Sequence, residues 1–258
     1  MTTNPSNSTS NERKPINGRR RSAAVFLQKL VYYLSKTWYG FAMLVPFTFL
    51  LLGLLAPALM AENNTEDAQS IYRFLAINNH QLPERSYFLF SEEGFVTTYT
   101  LDTLIAQGMN PQDRNAFIGN ETIGYKTGLN HRMMAIFIGM LIGGLAWGLA
   151  KGKLRIGLFV FLLLLLPILL DGFSHMISDT NNGFRELNNW AKFITGSAFS
   201  SSFYEGSQAG SLNWWLRILT GTLFGLGITW YLFTRFDSYF RKVRQQLEPR
   251  LRQIGAIK

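Results

Sequence analysis

Four stretches of this chain are apolar and almost uncharged: 37–61, 133–150, 156–170 and 218–233. A helix rises about 1.5 Å per residue and the hydrocarbon of a bilayer is about 30 Å thick, so each run crosses it or nearly does. The pattern predicts an all-α integral membrane protein with four transmembrane helices in a membrane domain over 37–234. Two long polar segments, 62–132 and 172–213, separate the first from the second span and the third from the fourth. Within the former, 69–77 and 83–90 are expected to be helical, the latter with Pro83 in its first turn, and 103–107 to form a third short helix. These are read as interfacial helices lying on or dipping into the outer leaflet. Trp190, Trp214 and Trp215 in and beside the second long segment are placed for an interfacial belt.

The ends of the chain pattern differently. Residues 1–21 are polar, without apolar periodicity, and finish in three arginines, which predicts a disordered basic arm. Residues 22–36 mix Val25, Leu27, Leu30, Val31 and Tyr33 with Lys29 and Lys36, as a short interfacial helix does. Residues 235–258 form a basic tail. The first span ends in APALMA, which resembles a signal-peptidase site; the length of the arm and of the uncharged run favours a retained anchor.

Charge orients this plan. Residues 1–36, the 151–155 connection and the tail hold 17 of the 25 lysines and arginines but only 3 of the 16 acids. Basic residues flank spans on the cytoplasmic side, so both termini are expected in the cytoplasm, with 62–132 and 172–213 outside, in the cytoplasmic membrane of a bacterium. The net charge of +9 therefore points to anionic lipid on the inner face and not to nucleic acid. There is no cysteine, which excludes disulfides, thiolate metal sites and cysteine nucleophiles.

Glycines recur at four-residue spacing, Gly139 with Gly143 and Gly144 with Gly148 in the second span, Gly221 with Gly225 in the fourth. Small residues at this spacing let helix backbones approach closely in lipid, and packing within the bundle is the simplest use of them. Pro167 removes a donor from the third span and frees the carbonyl of Leu163, so a kink is expected.

Chemistry-bearing residues gather at the outer side. His80, His131 and His175 could in principle bind a metal or haem, but no His-x-x-x-His pair is present and no metal site is predicted. Asp171 follows fifteen uncharged residues and Arg217 opens the fourth span. Ionisable groups at the edge of hydrocarbon seek partners, which predicts either a structural Asp171–Arg217 pair or the floor of a polar pocket. No Ser/His/Asp arrangement, P-loop or dinucleotide fingerprint is present, so no catalytic residue is assigned.

The strings INNHQLPERSYF, FIGNETIGYKTGLNHRMMAIFIG, LPILLDGFSHMI and LNWWLRILTGTLFGLG, in that order, resemble a family of small bacterial and archaeal membrane proteins classed as a domain of unknown function. The resemblance covers roughly 71–233. Where that family carries Cys-His-Gln-x-Pro-x-Arg-Ser, this chain keeps His80, Gln81, Pro83, Arg85 and Ser86 but has Asn79 for the cysteine. Its Cys-x-Arg motif reads Asn130, His131, Arg132 here. Leu170, Asp171 and Gly172 stand intact, as do Arg217, Thr220 and Gly221. The resemblance implies a membrane fold, with any thiol chemistry lost in this member.

Two roles remain open. One is a non-catalytic subunit or assembly factor of a larger membrane complex, docking through the outer loops. The other is a binding or transport protein with an outer-leaflet pocket formed by His80, Arg85, Arg132, Asp171 and Arg217. Three basic groups near one carboxylate suit an anionic lipid; a quinone or a metal is the other ligand weighed, and no cofactor is predicted. The topology is tested by reporter fusions: those at Lys153 and Lys258 should give cytoplasmic signals and those at Asn120 and Asn182 external ones, an external carboxyl terminus being incompatible with four spans.

Overall fold

The computed structural model describes residues 18–77, 80–180 and 183–258. Among them, four helices are long and apolar enough to cross a membrane, and the architecture is the helical four-span membrane protein that the apolar runs predict, with one small sheet added in the first long loop. Helix α1 runs unbroken over Gly18–Ala61. The expected arm lies outside the described residues up to position 17, and 18–21 already belong to this helix. Nor is 22–36 a separate element; no residue at its junction with the first span breaks a helix, and Gly40 just inside that span costs only about 1 kcal/mol relative to alanine.

Residues 18–38 and 238–258 form a compact unit of their own. Tyr32 and Leu251 are buried in it, Trp38 stacks on Phe240 at 5.9 Å, and Arg244 donates to the carbonyl of Ser35.

In the second unit, 39–237, a proline determines where the first long loop attaches. Pro57 inside α1 has no N–H to offer the carbonyl of Gly53 four residues earlier. That carbonyl instead accepts from the backbone N–H of Gly128 at 2.9 Å. The two backbones can meet because neither residue has a side chain: a Cβ on Gly53 would lie 2.9 Å from Leu129, and one on Gly128 2.6 Å from Leu75.

Helix α2, Thr65–Ala76, packs Ala68, Tyr72 and Leu75 inward at helical spacing, with Tyr72 and Ala68 against Ala56 and Leu59 of α1. The following segment departs from expectation. Residues 83–90 are not a helix but a single 3₁₀ turn, Pro83–Arg85, and a strand β1, Phe88–Ser91. Strand β2 is Gly94–Thr97. After helix α3, Leu101–Ala106, close to the helix expected at 103–107, come β3, Gly119–Asn120, and β4, Gly124–Lys126. The four strands form an antiparallel sheet in the order β2-β1-β4-β3. An aromatic run has good strand propensity, but it becomes a strand here because β4, far along the chain, pairs Lys126 with Phe88 and Tyr125 with Leu89.

The sheet and α3 enclose Phe88, Tyr99, Leu104, Met109 and Ile123. Lys126 is fully buried as well, its Nζ donating to the carbonyls of Gln81 at 2.9 Å and Asn115 at 2.8 Å. Burial pulls its ammonium down to about 8, opposed by the charges of Glu84 and Asp113. The Tyr72 hydroxyl donates to the Lys126 carbonyl, so one residue ties loop, sheet and α2 together.

The second span, α4, is His131–Leu149, capped by Asn130, whose side chain accepts from the Met133 N–H at 2.9 Å. Asn130, where the resemblance expects a cysteine, is thus a helix cap. The third span, α5, is Leu158–Thr180 with Pro167 inside it. Three short helices follow: α6, Phe184–Leu187, α7, Asn189–Thr195, and α8, Ser201–Tyr204. The last span lies in α9, Leu212–Gln253.

The glycine rows of α4 face two neighbours. A Cβ on Gly139 would stand 2.6 Å from the Thr222 carbonyl of α9, and one on Gly221 of α9 would stand 2.9 Å from the Arg132 carbonyl of α4. Gly144 and Gly148 instead meet Met43 and Tyr39 of α1. At these near approaches Trp230 donates to the Gly143 carbonyl at 2.9 Å and Tyr39 to that of Gly144 at 3.1 Å. Gly139→Ala is therefore expected to lower thermal stability in detergent by about 1–3 kcal/mol through overpacking against rigid backbone. Gly40→Ala, where a Cβ meets nothing within 4 Å, is expected to be neutral or slightly stabilising in the same melts.

Candidate functional site

The last turns of α5 carry Asp171, Ser174, His175 and Ser178 at spacings of three and four, so one helix face presents a carboxylate, two hydroxyls and an imidazole. Apolar surface occupies the rest of the helix, and this polar face needs partners from elsewhere. They come from three directions. Arg132 in the first turn of α4 donates to Asp171 Oδ2 at 2.6 Å. Arg185 of α6 donates to Asp171 Oδ1 at 2.9 Å, to Ser174 at 2.9 Å and to Asn213 of α9 at 3.1 Å. Arg217 of α9 brings its Nη2 within 3.3 Å of His175 Nε2, which Arg185 also approaches at 3.3 Å. Guanidiniums only donate, so the lone pair of Nε2 faces both.

Asp171, His175, Arg185 and Arg217 are all nearly inaccessible, at 5, 5, 6 and 3% exposure. Burial alone would weaken the hold of Arg185 on its proton, and the Asp171 carboxylate opposes that. Arg85 approaches from the first loop and pairs with Asp179 at 3.0 Å. Four guanidiniums thus gather around Asp171 and Asp179; Asp171, Arg185 and Arg217 are closed to water, whereas the Arg85–Asp179 pair is partly exposed. Arg217 makes no ion pair among the described residues, and its Nη1 has no hydrogen-bond partner there.

A cavity of about 800 Å³ opens between the two long loops, and Arg85, Arg185, Arg217 and His175 line it. Its walls also carry Glu84, Asp179 and Glu205, each in an ion pair, with Arg114, Arg85 and Lys192 respectively. The loops are held at this distance by Trp214 donating to the Tyr87 hydroxyl at 3.0 Å and by the Ala209 N–H donating to Thr98 at 2.9 Å.

Of the five pocket residues expected from sequence, Arg85 and Arg217 line the cavity, while Arg132 and Asp171 pair with each other outside its lining. His80 does neither; it is exposed and lies outside the cavity lining. The Asp171–Arg217 pair is corrected. The carboxylate is taken by Arg132 and Arg185, and Arg217 faces His175 instead. Adjacent span ends place Asp171 and Arg217 near each other, but α6 folds a nearer guanidinium between them. Arg185 escaped the sequence reading because its partners Asp171 and Asn213 lie 14 and 28 residues away, with no periodic relation to it. Its one signal is a charge within a segment otherwise rich in asparagine, serine and aromatics.

The histidines do not converge. His131 is fully buried against Tyr87, 4.3 Å between ring centres, and among the described residues no three histidine, aspartate or glutamate side chains come together as a metal site. Asn79, the other substituted cysteine position of the resemblance, lies outside the described residues.

A family model described as a predicted membrane protein (DUF2085) matches residues 112–205. No curated protein and no solved structure matches the chain. The matched stretch contains Lys126, Arg132, Asp171, His175 and Arg185 and leaves out Arg85 and Arg217.

The geometry makes a sharp statement about coupling. Removing one partner of a buried ion pair leaves an uncompensated charge, typically a loss of about 3–5 kcal/mol. Asp171→Asn is expected to lower stability strongly, and a double-mutant cycle with Arg185→Gln should show a coupling of about 1–3 kcal/mol. The same cycle with Arg217→Gln should show a smaller one. Equal coupling to both arginines in detergent melts would contradict this arrangement.

Proposed function

We propose that this membrane protein works by binding and not by catalysis, and that the cavity between its two long loops takes an anionic group of the phosphate class with Arg217 as the principal contact. The observation that carries this reading is a guanidinium 3% exposed, lining a cavity, with an Nη1 that finds no acceptor among the described residues. A buried donor left unmade costs stability, and more when it is charged. Placed among Arg85, Arg132 and Arg185, Arg217 adds repulsion as well. An anion in the cavity supplies the missing charge, and guanidiniums bind phosphate through paired donors.

Catalysis has little support in the same geometry. The Nε2 lone pair of His175 is occupied by two guanidiniums, and the Ser178 hydroxyl already accepts from the Arg185 N–H at 2.9 Å. The described residues place no base beside the Ser178 hydroxyl to activate it. Between the two roles left open by the sequence, a docking subunit has no use for an unpaired guanidinium buried beside a cavity, whereas a binding protein does.

Thermal melts of the purified protein at constant ionic strength test the reading, with inorganic phosphate and short-chain phosphatidic acid as probes. A ligand that binds only the folded state raises its melting temperature by mass action. At least one probe is expected to raise the melting temperature of the natural protein by several degrees and leave Arg217→Gln unmoved. That variant, without ligand, should be as stable as the natural protein or more so. If neither probe moves the natural protein, or both proteins move alike, the reading fails.

A further inference from the structure

The wall of this cavity is built by an element whose other side is apolar and uncovered. In α6, Arg185 points inward to Asp171, while Phe184 and Leu187 are exposed. In α7, Ala191 is buried, and Trp190, Phe193 and Ile194 are exposed, the last two at 88 and 73%. The segment is not loosely held. Asn188, fully buried between the two helices, donates to the carbonyls of Arg185 and Tyr204 at 2.8 and 2.7 Å. Lys192 pairs with Glu205 at 2.9 Å, and the Thr195 and Tyr204 hydroxyls meet beneath α7. Its large apolar side chains are thus held outward by a fixed polar underside.

What covers them follows from what precedes them. Helix α5 has 23 residues, about 35 Å at 1.5 Å per residue, which is a full crossing of the hydrocarbon. Its exposed apolar face continues through Leu166, Leu169, Leu170, Phe173 and Met176 to Ile177 in the last turns. Phe184, Trp190, Phe193 and Ile194 extend that surface beyond the span. An amphipathic element at the end of a span, apolar outside and with a tryptophan and a lysine, has the composition of a helix lying in the membrane interface.

We infer that α6 and α7 lie in the outer interface of the bilayer, and that the cavity behind them takes the phosphate of an anionic phospholipid reaching it from the leaflet. This rests on the anion-binding reading above and names the source of the anion. The last turn of α5 and α6 contribute Ser178, Asp179, Gly183, Glu186 and Leu187 to the cavity wall, so an interfacial α6 brings the cavity to headgroup depth. Asp102 and Glu186 also line it. Their charge disfavours a free anion arriving from water, while a headgroup anchored by its acyl chains is already concentrated at the site.

The absence of cysteine makes single-cysteine spin labelling clean. Nitroxides at Phe193→Cys and Ile194→Cys, in phosphatidylcholine vesicles with and without phosphatidylglycerol, should be relaxed by oxygen and shielded from a water-soluble nickel chelate. One at Thr122→Cys, exposed in the first loop, should show the reverse. Nickel access at 193 and 194 would overturn the interfacial placement. Shielding from both reagents would mean that a second copy covers the face, and would overturn it too.

The ligand arm compares phosphatidylglycerol in nanodiscs with soluble glycerol phosphate. Phosphatidylglycerol is expected to stabilise the natural protein against heat and not Arg217→Gln, with glycerol phosphate ineffective at the same nominal concentration. If glycerol phosphate stabilises equally well, the anion comes from water; the lipid inference then fails while the anion-binding reading stands. If neither acts, and inorganic phosphate and phosphatidic acid do not either, both fail.

Discussion

A single carboxylate organises this protein's loop end. Asp171 stands on the inward face of the last turns of α5, and its two oxygens hold guanidiniums from two other elements, Arg132 of α4 and Arg185 of α6. Desolvating so many charges is tolerable only where they are hydrogen-bonded to one another. Asn213, Ser174 and Ser178 complete the coordination of Arg185, so the short helices after α5 are positioned by polar contacts with the ends of the spans. With Arg85 paired to Asp179, Asp171 still cannot balance the three other arginines. The surplus falls on Arg217, and this imbalance separates the site from a purely structural ion pair.

The bundle beneath supplies the rigidity such a site needs. In lipid there is no hydrophobic force between helices, so close approach must come from small residues. On α4, Gly139 and Gly143 admit α9, whereas Gly144 and Gly148 admit α1. Arg132 and Arg217 belong to the two helices joined by the first of these contacts, and their separation is set by backbone packed on backbone. The first loop is tied down in the same manner at Gly53 and Gly128. With the buried Lys126, that contact holds the sheet and Arg85 in place without any disulfide.

Much of this was legible in the residue pattern. Apolar runs long enough to cross a bilayer report the spans because lipid leaves the backbone no alternative to the helix. Charges at the edge of such runs stand out for the same reason, which is why Arg132, Asp171 and Arg217 could be singled out, whereas Arg85 and His80 entered through the motif of the resemblance. The small sheet was not legible, since Phe88 meets Lys126 only after the chain has returned through α3. A run such as Tyr87–Phe90 fits helix or strand equally well until its neighbours are known.

Periodicity and charge, being local and solvent-driven, were thus enough to determine the four spans, the glycine faces and which ionisable residues sit at the membrane edge. Tertiary structure alone decided which of those charges pair. Coulomb attraction and hydrogen bonding are short-ranged, and the winner at Asp171 is Arg185, carried there by the two turns of chain that follow α5. The displaced Arg217 gained its unpaired Nη1 and its place on the cavity wall by the same event.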